Sequence, residues 1–114
     1  ILHTLTGSNF WMRQPGSGFS EPFADRKVYP ELDNEPEGNV TRDEMIQYKD
    51  TVKVLCESFF EGKNDEWLVE PSGIYDKISN LDVVFMQILH IQYHVGHCNS
   101  ILRERGLKAV DWIN

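Results

Sequence analysis

The sequence predicts an all-α protein. Apolar residues recur at spacings of three and four in three segments, and helix start and stop signals bracket two of them. No stretch alternates apolar and polar residues as a half-buried strand would. With 114 residues, 40% of them hydrophobic and 25% charged, the chain fits a single domain over 1–114 with a modest core.

The first helical segment runs from Ile1 to Arg13, with Leu2, Leu5, Phe10 and Trp11 as its larger apolar residues; Gln14, Pro15 and Gly16 end it. It begins without an initiator Met and without a capping residue. The expectation is that an N-terminal segment is absent from this chain, which leaves a removed signal peptide as an open alternative. From Gln14 to Val40 the composition turns to loop, with four of the five prolines. A connection this long is either functional, as a lid that chooses a substrate, or a plain surface link. Phe19, Phe23, Val28, Tyr29 and Leu32 are the residues available to pin it to the body.

Thr41-Arg-Asp-Glu44 reads as a capping box that starts the second helix. Met45, Tyr48, Val52, Leu55 and Phe59 then form one seam, and Gly62 closes it. After the connection "KNDEWLVEPSGIYDKIS", Asn80 is placed to cap a third helix, which runs to Gly106 behind Arg103 and Arg105. That helix is apolar around much of its circumference, so more than two neighbours are expected. A fourth helix, from a lost N-terminus or a partner chain, would supply the difference.

A net charge of -7 with no basic stripe argues against nucleic-acid partners and anionic membrane surfaces. The longest apolar run, Leu81–Leu89, contains Asp82 and Gln87 and is far short of a membrane span. Cys56 and Cys98 make no disulfide framework, which points to a reducing, cytoplasmic setting.

The chemistry concentrates in "HIQYHVGHCNSILRERG". On an ideal helix His90, His94 and His97 share an arc of about 60°. Val83 and Ile101 fall in line with that arc, and Met86 and Cys98 flank it, so the patch is expected to face inward. An i, i+4 histidine pair can converge two nitrogens on one ion, but two ligands bind weakly. His3, the only other histidine, lies in a separate helical segment. His3, His90 and His94 would form a three-histidine site with open positions, the catalytic pattern for zinc and also suited to nickel or iron. The alternative is that these imidazoles are hydrogen-bonded core residues. His97 has several candidate roles: a substitute ligand, a hydrogen-bond partner of a ligand, an acid or base, or a rim hydrogen-bonder. Tyr48 and Tyr93 are weaker proton carriers and read better as packing or interface residues. Cys98 is either a thiolate ligand or a small core residue, and Cys56 a core residue.

The same stretch resembles the last-helix signature of the DinB/YfiT-like metalloenzyme family. His90, His94, Gly96, Leu102 and Arg103 fall on its pattern, and Gly106 ends the helix as in the family. His97 departs from it, standing where Gln is commoner. "LHTLTGSNFWM" is similar to the family's second helix through His3 and Trp11, and the trailing "AVDWIN" fits through Trp112. The resemblance implies an up-down four-helix bundle whose first helix is missing from this chain. It also implies a homodimer and a divalent ion on His3, His90 and His94, zinc or nickel before iron. The activity implied is that of a thiol-dependent transferase or isomerase acting on a small molecule. A low-molecular-weight thiol would be bound near the ion. From the residues themselves, and not from the resemblance, His97 is the best-placed catalytic proton carrier. Water could be activated in place of the thiol. The competing expectation is a non-enzymatic, metal-stabilised, stress-linked binding module.

Overall fold

A computed structural model describes residues 1–111 and is helical, with no strand among the described residues. Its helices are α1 (Leu2–Trp11), α2 (Arg42–Phe60), α3 (Asp65–Leu68) and α4 (Asn80–Glu104). The all-α expectation holds. Trp112 lies outside the described residues.

The long helices begin and end for reasons legible in their flanking residues. At α2 the Thr41 hydroxyl accepts from the Glu44 amide, while the Glu44 carboxylate accepts the Thr41 N–H at 2.9 Å. Gly62, at φ +67°, turns the chain away after Phe60. For α4 the expected cap is wrong by one residue. Ser79 is the cap, reciprocated by Asp82, and Asn80 instead donates from Nδ2 to the Trp67 carbonyl at 2.8 Å. Asn80 is buried, so its amide serves the interior better than a helix end. At the far end Gly106 N–H reaches the Arg103 carbonyl and Leu107 N–H the Leu102 carbonyl, both bonds of a Schellman motif. The single turn α3 falls inside what the sequence reads as a connection; Asn64 caps it by accepting from Trp67 N–H.

In the packing, α1 is the middle helix. It lies against α2 on one side and α4 on the other, α3 packs on α4, and α2 and α4 do not meet. Asn9 donates to the Tyr48 hydroxyl, and Cys56 Sγ meets Met12 Sδ at 3.7 Å, both across the α1–α2 contact. The α2 seam therefore turns through Cys56, while Leu55 is exposed. Tyr48 packs, as expected, against Asn9 and the Phe23 ring. Among the described residues, Met12, Val52, Phe59 and Val83 are the buried apolar ones.

The result is a slab of 46 × 40 × 24 Å with a radius of gyration of 15.7 Å. A compact domain of this length would have about 13 Å. Flatness leaves α4 with fewer neighbours than its apolar circumference calls for. Phe85, Leu89 and Tyr93 follow one another at four-residue intervals and are 56%, 68% and 69% exposed. Ile101 is exposed too, so the expected inward-facing patch holds only for the half of α4 around Val83. No helix among the described residues is long and apolar enough to cross a membrane.

Candidate metal centre

His3 stands at the start of α1, and His90 and His94 stand one turn apart in the middle of α4. The α1–α4 contact brings their rings into a triangle with centroids 5.0, 5.0 and 4.7 Å apart. One nitrogen from each lies within 4.8 Å of the other two, so the group could hold a metal ion. All three residues are half-buried. Two ligands about 2.0 to 2.1 Å from a tetrahedral ion lie about 3.3 Å apart. His3 Nε2 and His90 Nε2 are already at 3.0 Å, so that edge needs only a slight opening.

Gly7 permits this approach. A Cβ there would stand 3.0 Å from His90 Cε1 and 3.3 Å from Nδ1. Gly7 follows His3 by one helical turn and so shares its face. Any larger residue would hold α1 and α4 apart where the imidazoles must meet.

The loop fixes the first ligand. His3 Nδ1 lies 2.7 Å from the Pro30 carbonyl, which can only accept, so Nδ1 carries a proton and Nε2 is the nitrogen left for a ligand lone pair. A partner of this kind commonly orients a metal-ligating histidine. Pro30 sits at the second position of a turn closed by Leu32 N–H on the Tyr29 carbonyl at 3.0 Å. Tyr29 and Leu32 bracket it in the left-handed region, at φ 45° and 63°. Non-glycine residues adopt that conformation at a cost, which the surrounding contacts must offset. Of the five residues expected to pin the loop, Phe19, Phe23, Val28 and Tyr29 are half-buried and Leu32 is exposed.

Electrostatics favour the ligand form. Burial first, and then the neighbouring His3, push the His90 pKa down, with Glu31 opposing. Burial, then His90 and His3, do the same to His94. Both rings are held neutral, with lone pairs available to a cation. With no ion between them, His90 Nε2–H can donate to the His3 Nε2 lone pair; turning both lone pairs inward requires His90 to carry its proton on Nδ1 instead.

His97 does not join the triangle. It is exposed, with its ring 6.3 Å from that of Tyr93, and it lines a second cavity of about 450 Å³ together with His3, His94 and Pro30. Cys98 lies half-buried outside the ligand group. Cys56 has its thiol pKa raised, by burial first and by Glu57 second. It stays a thiol against Met12, in keeping with a packing role.

A larger cavity of about 580 Å³ opens on the His3–His90 side. Sequence reasoning missed the residues that shape it and those that support the triangle: Gly7, Gln87, Glu21, Glu31 and the Pro30 carbonyl. Gly7 alone leaves a sequence trace, as a helix-interior glycine one turn after a candidate ligand. The others depend on where the loop comes to rest.

No family model matches the chain, and no curated protein or solved structure matches it either.

Proposed function

We propose that this chain is a divalent-metal-dependent enzyme of the DinB/YfiT-like kind. Its reaction would be a thiol-dependent transfer or isomerisation of a small molecule. The observation that carries the reading is the triangle itself: three imidazoles from two helices, one nitrogen of each within 4.8 Å of the others. Two neutral rings on one helix, a third oriented by a carbonyl, and the absence of a fourth histidine, cysteine or carboxylate in the described group make a three-ligand donor set. That set fits zinc or nickel, with iron third, and leaves positions for a guest. An ion held there would supply Lewis-acid activation of a low-molecular-weight thiol or of water.

The chain's own residues do the rest. The Pro30 carbonyl orients His3, and Gly7 sets the helix separation. His97, on the wall of the cavity that reaches His3 and His94, is placed to take up or return a proton. Two cavities beside the triangle favour a reacting guest over a purely structural ion.

The fold reading that accompanies this is an up-down four-helix bundle. The α2–α1–α4 layer would be three of its helices, with a further helix lying across α2 and α4. A homodimer in the cytoplasm completes the reading. It is supported by the exposed apolar line on α4 and by two cysteines that are both free.

Elemental analysis and zinc titration test the site. His90→Ala and His94→Ala each abolish tight binding, whereas His97→Ala keeps the metal and alters the pH profile of thiol-transfer activity. A His3→Ala protein that retains its metal while His97→Ala loses it would refute the ligand set.

A further inference from the structure

The outer face of α4 leads to the metal triangle. On an ideal helix Phe85, Leu89, Tyr93, Gly96 and Ser100 lie within an arc of about 80°. The first three are the exposed apolar line, and Gly96 and Ser100 are exposed small residues that continue it. From Val83 to Leu102 the helix carries no Asp, Glu, Lys or Arg, although the chain has a net charge of -7. That span is about 30 Å long at 1.5 Å per residue, the diameter of the patch of about 800 Å² that each partner gives to a standard interface.

The second observation is Gly96. A glycine inside a helix forfeits helicity relative to alanine. At Gly7 the His90 ring accounts for it, but a Cβ at Gly96 would meet nothing within 4 Å. The protomer therefore has no steric need for a bare backbone at this point, whereas a second helix crossing closely there does. Charge selects the partner. Two copies at -7 repel one another through any acidic surface. A two-fold contact sets a patch against itself, which an apolar, uncharged patch satisfies and a patch of one sign does not.

We propose that a second copy of this chain packs on this face through the same residues and closes the Tyr93–His97 cavity beside the metal triangle. The homodimer belongs to the reading above, on which this rests; the closure goes beyond it. Tyr93 joins the two features. It stands in the exposed line, and its ring lies 5.1 Å from that of His94. With His97, also exposed, it lines the cavity of about 450 Å³ that reaches His3, His94 and Pro30. A copy seated on Leu89, Tyr93 and Gly96 covers the outward side of that wall. The cavity is then open in the single protomer and closed in the dimer, where water is kept from a bound guest.

The test is sedimentation velocity beside carbethoxylation of His97 by diethyl pyrocarbonate, mapped by mass spectrometry on the metal-free chain. The parent is expected to be a dimer in which His97 is protected, and dilution to monomer should release that protection. Gly96→Leu should raise the dimer dissociation constant about tenfold or more, the scale of one overpacked position. It should also make His97 reactive at concentrations where the parent is protected, with helicity by circular dichroism at or above the parent's. A dimer whose His97 reacts as fast as the diluted monomer's overturns the closure and leaves the homodimer standing. A Gly96→Leu protein as dimeric as the parent overturns the choice of face, and a parent that is monomeric throughout overturns both. Zinc titration of the same samples reads the metal centre separately, so its failure and that of the closure are told apart.

Discussion

At Gly7 a hydrogen atom stands where any other residue would place a carbon against the His90 ring. A Cβ 3.0 Å from Cε1 is too close to stand unless the imidazole or the helix moves. Gly7 costs α1 some intrinsic helicity, of order 1 kcal/mol relative to Ala. Gly7→Ala is therefore expected to raise or preserve helicity and at the same time weaken zinc binding by about tenfold or more, the usual scale for disturbing the supports of a metal ligand. Circular dichroism beside a zinc titration reads both effects. A variant that gains helicity with unchanged affinity would show that the helices have room to spare. His90 and His94 illustrate another residue-scale point. Sequence spacing placed them on one helix face, but burial and mutual proximity are what keep them neutral.

Among the elements, α2 shows how a local cap is reinforced from a distance. Glu44 closes the capping box with Thr41 and also receives both guanidinium nitrogens of Arg26, at 2.8 and 2.6 Å. Arg26 belongs to the short 3-10 turn Ala24–Arg26, so this one carboxylate ties the long loop to the start of α2. The Arg26 hydrogen bond first, and then those of Thr41, hold the Glu44 pKa at about 2, below its ordinary 4.5. A depressed carboxylate pKa contributes stability that is complete above 4.5 and is lost as pH falls toward 2. Chemical denaturation at several pH values should show this decline. Glu44→Gln should be less stable than the parent at pH 7 and should flatten its dependence between those limits. A parallel displacement of the two curves, with no convergence at low pH, would contradict the assignment. Capping boxes at Thr41–Glu44 and Ser79–Asp82 are both sequence-local, yet only the first is readable in advance. At the second, Ser79 and Asn80 are equally good caps by type, and the choice falls to Ser79 because the Trp67 carbonyl needs the Asn80 amide.

For the whole molecule the decisive feature is the open layer. With α1 in the middle and α2 and α4 apart, the apolar line Phe85, Leu89, Tyr93 has nothing over it among the described residues. Exposed apolar surface of this kind commonly marks an interface. Sedimentation velocity is expected to give a dimer, and Leu89→Glu to shift it to monomer with the zinc stoichiometry unchanged. A monomeric parent protein would remove the homodimer from the proposed reading.

By itself the sequence determined the three long helical segments, where α2 begins, where α4 stops, and that four histidines divide between two helices. Those features follow from spacing, capping and turn chemistry, all of which act within a few residues. The all-α class and the pairing of His90 with His94 on one helix face were legible for that reason. Only the tertiary structure decided that His3 meets His90 and His94 across 87 residues of chain, and that His97 stays outside. It also decided that the Pro30 carbonyl holds His3, and that Glu21, Glu31 and Gln87 share one cavity. These juxtapositions depend on how closely α1 approaches α4 and where a proline-rich loop comes to rest. Such long-range packing is fixed by steric fit at positions like Gly7 and by hydrogen bonds to irregular backbone, neither of which leaves a periodic trace in the chain.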